Sequence, residues 1–292
     1  MSDDPRWPRA ASLLQRDLGS ADVAIVGIPT YATSISPTQA HTTPPAIRQA
    51  LARFSTYASG SDVSSLNIVD IGDVVDPDGP EGEARVAERV SSCAAELLIG
   101  LGGDNSLTYA MAKARWGSAM GTAGLVTLDA HHDVREGISN GSPVRRLIEA
   151  GLDPVRIAQI GIADFANSPQ YAQDVHAWGI TVIPRPALRS MTMAAAMQQA
   201  LDVAGAAGGP IHVDIDVDVC DQSVAPACPA AAPGGISADD LRVAARIAGA
   251  DSRVTSVDIV EIDAARDTPD GRTVRLAALC VLEVIAGFGL RH

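Results

Sequence analysis

The sequence predicts an α/β protein of three layers, with a central, mainly parallel eight-stranded sheet between helices. Short β-rich runs alternate with helical patterns along the whole 292 residues, which is the order of a parallel α/β unit. Most of the runs are nearly continuous in apolar residues rather than alternating, as parallel strands covered on both faces require. There is no fixed-period repeat, heptad array or low-complexity linker, so one domain over residues 1–292 is expected.

Taken in order, Val23 to Ile28 is the first strand, and the Pro-containing loop Thr30 to Pro45 leads to a helical pattern at Ala46 to Thr56. Strand Asn67 to Ile71 precedes helix Ala84 to Ala94, and strand Leu97 to Leu101 precedes helix Ser106 to Arg115. After strand Gly124 to Leu128, Ser142 and Pro143 read as N-cap and first residue of a helix to Ala150, which Gly151 closes. Strand Ile157 to Ile162 precedes helix Pro169 to Trp178, and strand Ile180 to Ile183 precedes helix Met193 to Val203. Strand Ile211 to Ile215 is followed by a second long loop, Gln222 to Gly235. The helix after it, Ala238 to Gly249, opens with Ser237 and Asp240 as a capping-box variant. Strand Val254 to Val260 and helix Thr273 to Phe288 complete the chain. Both long loops are candidates to line a site.

Composition narrows the partners. Lys and Arg number 22 against 35 Asp and Glu, a net charge of −13, which excludes a basic groove for nucleic acid or an anionic membrane surface. No run approaches the roughly 18 apolar residues of a membrane span, and the opening MSDDPRWPRAASLLQRD lacks the order of a signal peptide. A cytoplasmic protein is expected. Cys93, Cys220, Cys228 and Cys280 are too few and scattered for a disulfide framework or a CxxC zinc module, and burial suits Cys220 and Cys228 better than ligation.

Four polar clusters each follow a predicted strand, so all four fall beyond the carboxyl edge of the sheet, where open α/β sheets bind ligands. They are Gly102-Gly103-Asp104-Asn105-Ser106, Asp129-Ala130-His131-His132-Asp133, Asp214-Ile215-Asp216-Val217-Asp218 with Asp221, and Glu261-Ile262-Asp263. On an extended segment Asp129, His131 and Asp133 project to one side, and Asp216 and Asp218 repeat the device. Carboxylates gathered in this way repel one another unless cations compensate. Two divalent ions would balance four aspartates, and oxygen-rich ligation with an imidazole suits Mn²⁺ better than structural zinc. A lone Asp-x-Asp is ordinarily a solvated turn, and a lone His-His pair surface or core. Here the conjunction of clusters carries the reading. The stretch from Asp214 to Asp221 lacks the glycine and distal glutamate of an EF-hand.

At these residues the chain resembles the ureohydrolase superfamily, the arginase and agmatinase fold with a binuclear manganese site, over nearly its full length. Within it, the chain is most similar to the formimidoylglutamase branch. The strings that carry the narrower resemblance are Thr33-Ser34-Ile35-Ser36 with Ala46-Ile47-Arg48-Gln49-Ala50-Leu51, His132-Asp133-Val134-Arg135, Ser139-Asn140-Gly141-Ser142-Pro143, and Asp221-Gln222-Ser223 followed by Ala225-Pro226-Ala227-Cys228-Pro229. The resemblance implies that Asp129 and Asp216 bridge two Mn²⁺ ions. His131 and Asp218 would complete one ion, and Asp133 with Asn105 the other. His132 fills a variable position, Asp214 stands where serine is usual, and Glu261 contacts the cationic part of the substrate.

The implied reaction is hydrolysis of N-formimidoyl-L-glutamate to L-glutamate and formamide, a step of histidine degradation, by a hydroxide bridging the metals. In it Asp133 ferries the proton, Glu261 holds the amidinium and Asn140 orients the substrate. Arg135 and Arg145 are candidates for the substrate carboxylates, Arg145 in the first turn of a helix whose free N–H groups also attract anions. The alternatives are a guanidine hydrolase of the agmatinase, guanidinobutyrase or arginase type, which releases urea, and an inactive metal-dependent binder. The sequence departs from the superfamily pattern twice. Asn105 replaces a metal-binding histidine, and an amide oxygen is the weaker donor, so that ion is expected to be loosely held. Asn140 replaces a histidine thought to shuttle protons, and asparagine does not titrate. The resemblance also implies a homo-oligomer, trimer or hexamer.

Overall fold

A computed structural model describes residues 4, 6–14, 21–58 and 61–291. The opening stretch read for a leader lies partly outside these residues. Eight strands form one sheet: β1 (Val23–Ile28), β4 (Ile68–Asp73), β5 (Leu97–Gly102), β6 (Gly124–Leu128), β7 (Ile157–Ile162), β8 (Thr181–Pro184), β9 (Ile211–Asp216) and β10 (Val254–Val260). Every ladder between them is parallel, in the order β4-β1-β5-β10-β9-β6-β7-β8.

The order explains the position of the site. The chain builds outward from β1 to β4, returns through β5, and builds outward again through β6, β7 and β8. The last two strands, β9 and β10, then enter between β5 and β6. The four strands that carry the polar clusters are therefore the four central neighbours, and their carboxyl ends open on one crevice.

Alternate residues of each strand feed opposite layers. Val23 and Ile25, with Leu97, Ile99, Val213, Ile215, Val257 and Ile259, pack against helices α1 (Thr43–Leu51), α6 (Met193–Ala204), α7 (Ala238–Ala250) and α8 (Arg272–Phe288). On the other face Ala24, Val26, Ile28 and Leu98 pack against α2 (Gly79–Ser91) and α3 (Leu107–Trp116). Leu125 and Ile157 meet the far end of α3, α4 (Pro143–Glu149) and α5 (Pro169–Ala177). The helix-covered faces account for strands with no alternation in hydropathy.

Two helices begin earlier than periodicity suggests. Pro44 and Pro45 fit the first turn of α1, and Pro80 that of α2, because a first-turn residue needs no intrahelical N–H partner. Helix α1 also ends at Leu51 rather than Thr56. There the chain turns to pair with the N-terminal segment, through the Arg9–Ser55 bridge and Ala10 N donating to the Phe54 carbonyl. A small antiparallel pair, β2 (Tyr57–Ala58) with β3 (Ser61–Asp62), has two residues per strand, too short for a pattern. At the end of α4, Gly151 adopts φ +113, with Gly151 N donating to Ile148 O and Leu152 N to Leu147 O, the Schellman arrangement. Among the described residues no helix is long and apolar enough to cross a membrane.

Candidate metal centre and substrate cavity

The first cluster turns away from β5 through Gly103. A Cβ there would lie 1.9 Å from the Thr30 carbonyl oxygen, so only glycine lets the two chains pass. The Gly103 carbonyl in turn accepts from Glu261 N at 2.9 Å, tying β5 to the end of β10. Asp104 serves this turn, its Oδ1 accepting from Ser106 N and Oγ. Asn105 enters the site, fully buried, with its Nδ2 2.7 Å from Asp133 Oδ2 and its Oδ1 2.7 Å from Thr108 Oγ1.

The second cluster converges by a different route from the extended one expected. Strand β6 ends at Leu128, and Asp133 takes a left-handed conformation at φ +53. This turn, not two-residue alternation, carries its carboxyl inward. A non-glycine residue held there stores strain, as does Glu261 at φ +62. Asp129 Oδ1 accepts from His131 N at 2.6 Å, and its Oδ2 is buried with no hydrogen-bond partner among the described residues. His131 Nδ1 lies 2.7 Å from Asp218 Oδ2 and 3.4 Å from Asp129 Oδ1. One ligand atom each from Asp129, His131 and Asp218 falls within 4.8 Å of the others, the spacing of a metal site. Asp133 and Asn105 form a second pair.

The third cluster is set by a turn at the end of β9, where Asp216 Oδ1 accepts from Asp218 N at 2.8 Å. Asp218 Oδ1 takes Ala130 N at 2.9 Å, so β6 and β9 are stitched together by the acidic residues themselves. Asp221 instead closes the following loop, accepting from Ser223 N and Gly234 N. The fourth cluster divides. Glu261 Oε1 accepts from Asn105 N at 2.8 Å and Asn140 Nδ2 at 2.7 Å, whereas Asp263 Oδ2 accepts from Gln39 N at 2.9 Å and anchors the first long loop.

Burial and mutual repulsion set the charges. Desolvation, then the charge of Asp218, pushes Asp129 up to about 7, and desolvation with Asp104 pushes Glu261 up to about 8. Asp133 and Asp216 rise well above the ordinary carboxylate value, chiefly by burial. Burial opposes the His131 cation, but Asp129 and Asp218 outweigh it and raise the imidazole to about 11. Burial also pushes Asp218 upward, yet its hydrogen bonds and the His131 charge hold it below its ordinary value. Without a metal, protons and one imidazolium are what balance these acids. The unpartnered Asp129 Oδ2 and the acid-rich, thiol-free donor set fit hard divalent cations.

Above them lies a cavity of about 430 Å³ lined by His131, Asp133, Asp216, Asp218 and Glu261 below, with Ile35, Arg135, Asn140, Asn167 and Tyr171 toward its mouth. Asn140 spans the wall, Nδ2 on Glu261 and Oδ1 accepting from Ile35 N at 3.0 Å. Arg135 is exposed, its guanidinium has no partner among the described residues, and its stem runs past Gly141. Arg145 is elsewhere: Nε donates to Val134 O at 2.7 Å, and the guanidinium lies over Trp178 and within 3.4 Å of Asp174. The structure does not bring it to the cavity. His132 is fixed by Gln159, with Nδ1 2.7 Å from Oε1. Cys220 and Cys228 are buried, and desolvation keeps both thiols protonated, Cys220 at about 12.

Two features were not read from the sequence. Asn167 holds the second cluster, accepting from His132 N and donating to the Ala130 carbonyl. It follows β7, and the strand-end rule applied to that strand would have found it. Beneath the centre, Thr127, His212, Ser256 and Asp258 form a buried polar strip on β6, β9 and β10, joined by Asp214, which was expected beyond the sheet edge with the third cluster but lies inside β9. The signal was Asp258, a carboxylate inside an apolar strand.

The arginase family model matches residues 21–287. The formimidoylglutamase of Halalkalibacterium halodurans is 34% identical over 276 residues, which cover 90% of this chain and 86% of that protein. The crystal structure of formimidoylglutamase from Bacillus subtilis is similar with a TM-score of 0.92 at 30% identity, covering 99% of this chain and 94% of that one. That of Trypanosoma cruzi formiminoglutamase with Mn²⁺ shares the fold, with a TM-score of 0.90 at 23% identity over 98% and 100% of the two chains. With the four clusters on adjacent central strands of the matched region, the chain belongs to the arginase family.

Proposed function

We propose that the protein hydrolyses N-formimidoyl-L-glutamate to L-glutamate and formamide at a binuclear manganese centre. The observation that carries this is the joining of one acidic centre, Asp129, His131 and Asp218, to a cavity whose mouth holds the unpartnered cation Arg135. The formimidoylglutamases among its relatives and the Mn²⁺ of the Trypanosoma cruzi structure support the reading.

Asp129 and Asp216 would bridge the ions, His131 and Asp218 would hold one, and Asp133 and Asn105 the other. Bound there, two divalent ions would neutralise the crowded carboxylates and lower the pKa of a water, which would supply a nucleophile at neutral pH. The residues of the chain do the remainder. Glu261 Oε1 is fixed by Asn140 and the Asn105 N–H, which leaves Oε2 to face the planar amidinium. Asn140 uses its donor on Glu261 and its acceptor on Ile35 N, so it sets the orientation of Glu261 and moves no proton. Water adds at the amidine carbon and the bond to the glutamate nitrogen breaks. Asp133, buried in the lining of the cavity, carries the proton to the departing amine. Arg135 meets a substrate carboxylate. The trimer or hexamer implied by the resemblance belongs to the same reading, and light scattering in solution tests it.

The deciding experiment offers the Mn²⁺-reconstituted protein formimidoylglutamate, arginine, agmatine and guanidinobutyrate separately. Formamide with glutamate is the expected product pair. Urea from any guanidine would move the protein to that branch, and no turnover above the metal-free control on any of the four would sink a hydrolase. Asp129→Ala is expected to abolish turnover, because it removes a ligand common to both ions.

A further inference from the structure

Thr108, in the first turn of α3, places its hydroxyl 2.7 Å from Asn105 Oδ1 and 2.9 Å from Asp258 Oδ2. A threonine hydroxyl has one proton, so it cannot donate to both acceptors. The rest of the strip indicates which one receives it. His212 lies between Ser256 Oγ, 2.7 Å from Nδ1, and Asp258 Oδ2, 3.0 Å from Nε2. Ser256 donating to Nδ1 and Nε2–H donating to Asp258 satisfies both ring nitrogens, and makes the Asp258 carboxylate the acceptor at the end of the chain. Thr108 then also donates to Asp258 and offers Asn105 only lone pairs.

We propose that Thr108 is a positioning residue that selects the atom Asn105 presents to the metal. In this structure the amide stands the other way, Nδ2 on Asp133 Oδ2 and Oδ1 on Thr108; with a cation in the centre and only lone pairs on Thr108, it turns over, its NH₂ facing Thr108 and its oxygen beside Asp133 Oδ2, where two oxygens meet comfortably only around a cation. The direction Ser256 to His212 to Asp258, with Asn105 to Thr108 to Asp258 from the other side, fixes the amide from a site fully closed to solvent. This outer hydrogen bonding is how an asparagine, the weaker ligand type, is kept oriented as an oxygen donor. The inference rests on the proposed ligand role of Asn105.

The test is Mn²⁺ titration of the metal-free protein, counting free Mn²⁺ by electron paramagnetic resonance, for wild type, Asn105→Ala, Thr108→Val, Thr108→Ser and Asn105→Ala/Thr108→Val. Wild type should bind two ions, and Thr108→Val should weaken one about tenfold. Thr108→Ser, which keeps the hydroxyl, should stay within about twofold of wild type. Adding Thr108→Val to Asn105→Ala should cost nothing further, since the residue acts through the amide. Unchanged binding by Thr108→Val, or an equal loss in both backgrounds, overturns the positioning role while leaving Asn105 as a ligand. If Asn105→Ala binds both ions like wild type, the ligand reading fails and takes the inference with it. Thermal melting of the metal-free variants identifies any that misfold, and Thr108→Ser then carries the decision: a tenfold loss with the hydroxyl present also overturns the proposal.

Discussion

The two arginines at the edge of the site separate what sequence proximity suggests from what packing allows. Arg135 and Arg145 both lie close in sequence to Asp133, yet only Arg135 reaches the cavity with its guanidinium free. Arg145 is spent on the Val134 carbonyl and the Trp178 ring. If Arg135 binds a substrate carboxylate equally in ground and transition states, Arg135→Ala should raise KM about tenfold to a hundredfold and leave kcat within about twofold, the value of a charge-assisted hydrogen bond. Arg145→Ala should leave KM unchanged and lower thermal stability through lost packing. Steady-state kinetics and melting of the two variants check both, and a raised KM for Arg145→Ala would show that its present contacts give way to substrate.

Elements were legible in the sequence where a local rule fixed them. The capping box at Ser237 is present in full, the Ser237 hydroxyl accepting from Asp240 N at 3.1 Å while the Asp240 carboxylate takes Ser237 N at 3.2 Å. Ser237→Ala should therefore destabilise the protein by about 0.5–2 kcal/mol in a denaturant titration, without touching KM. The four clusters were also legible, because each closes an apolar strand. What the sequence withheld was order and fine direction. Nothing local says that β9 and β10 insert between β5 and β6, nor that Asp133 arrives by a left-handed turn. Gly103 shows the same limit: its contact is with Thr30, remote in sequence, so only the fold reveals why glycine stands there. Gly103→Ala should cost about 1–3 kcal/mol by overpacking, and should impair metal binding too, since the displaced turn carries Asn105 and holds Glu261 N. A variant with wild-type melting and Mn²⁺ affinity would contradict that account.

At the scale of the molecule, the centre stores a conflict that the metal resolves. In the metal-stripped protein Asp129 and Glu261 are held up at about 7 and about 8, so the folded state keeps protons that the unfolded chain releases at ordinary carboxylate values. Folded protein then binds more protons over that window, and stability falls as pH rises through it. His131 acts in the same direction: raised to about 11, its contribution is complete below its unfolded value of 6.5 and is lost as pH climbs toward 11. Asp218, lowered, contributes above its unfolded value and is constant from pH 6 to 9. Metal-free protein should therefore melt at progressively lower temperature from pH 6 to 9. Mn²⁺ removes the slope by displacing the protons, because the ligands it takes are ionised carboxylates and neutral imidazole. Each ion at a hundred times its Kd adds about 2.7 kcal/mol, or roughly 4–5 °C in a domain of this size. The gap between melting curves in chelator and in Mn²⁺ should accordingly widen with pH. Parallel profiles would mean that the cluster does not hold its protons when empty, and the ordering of charge around Asp129 would need another origin.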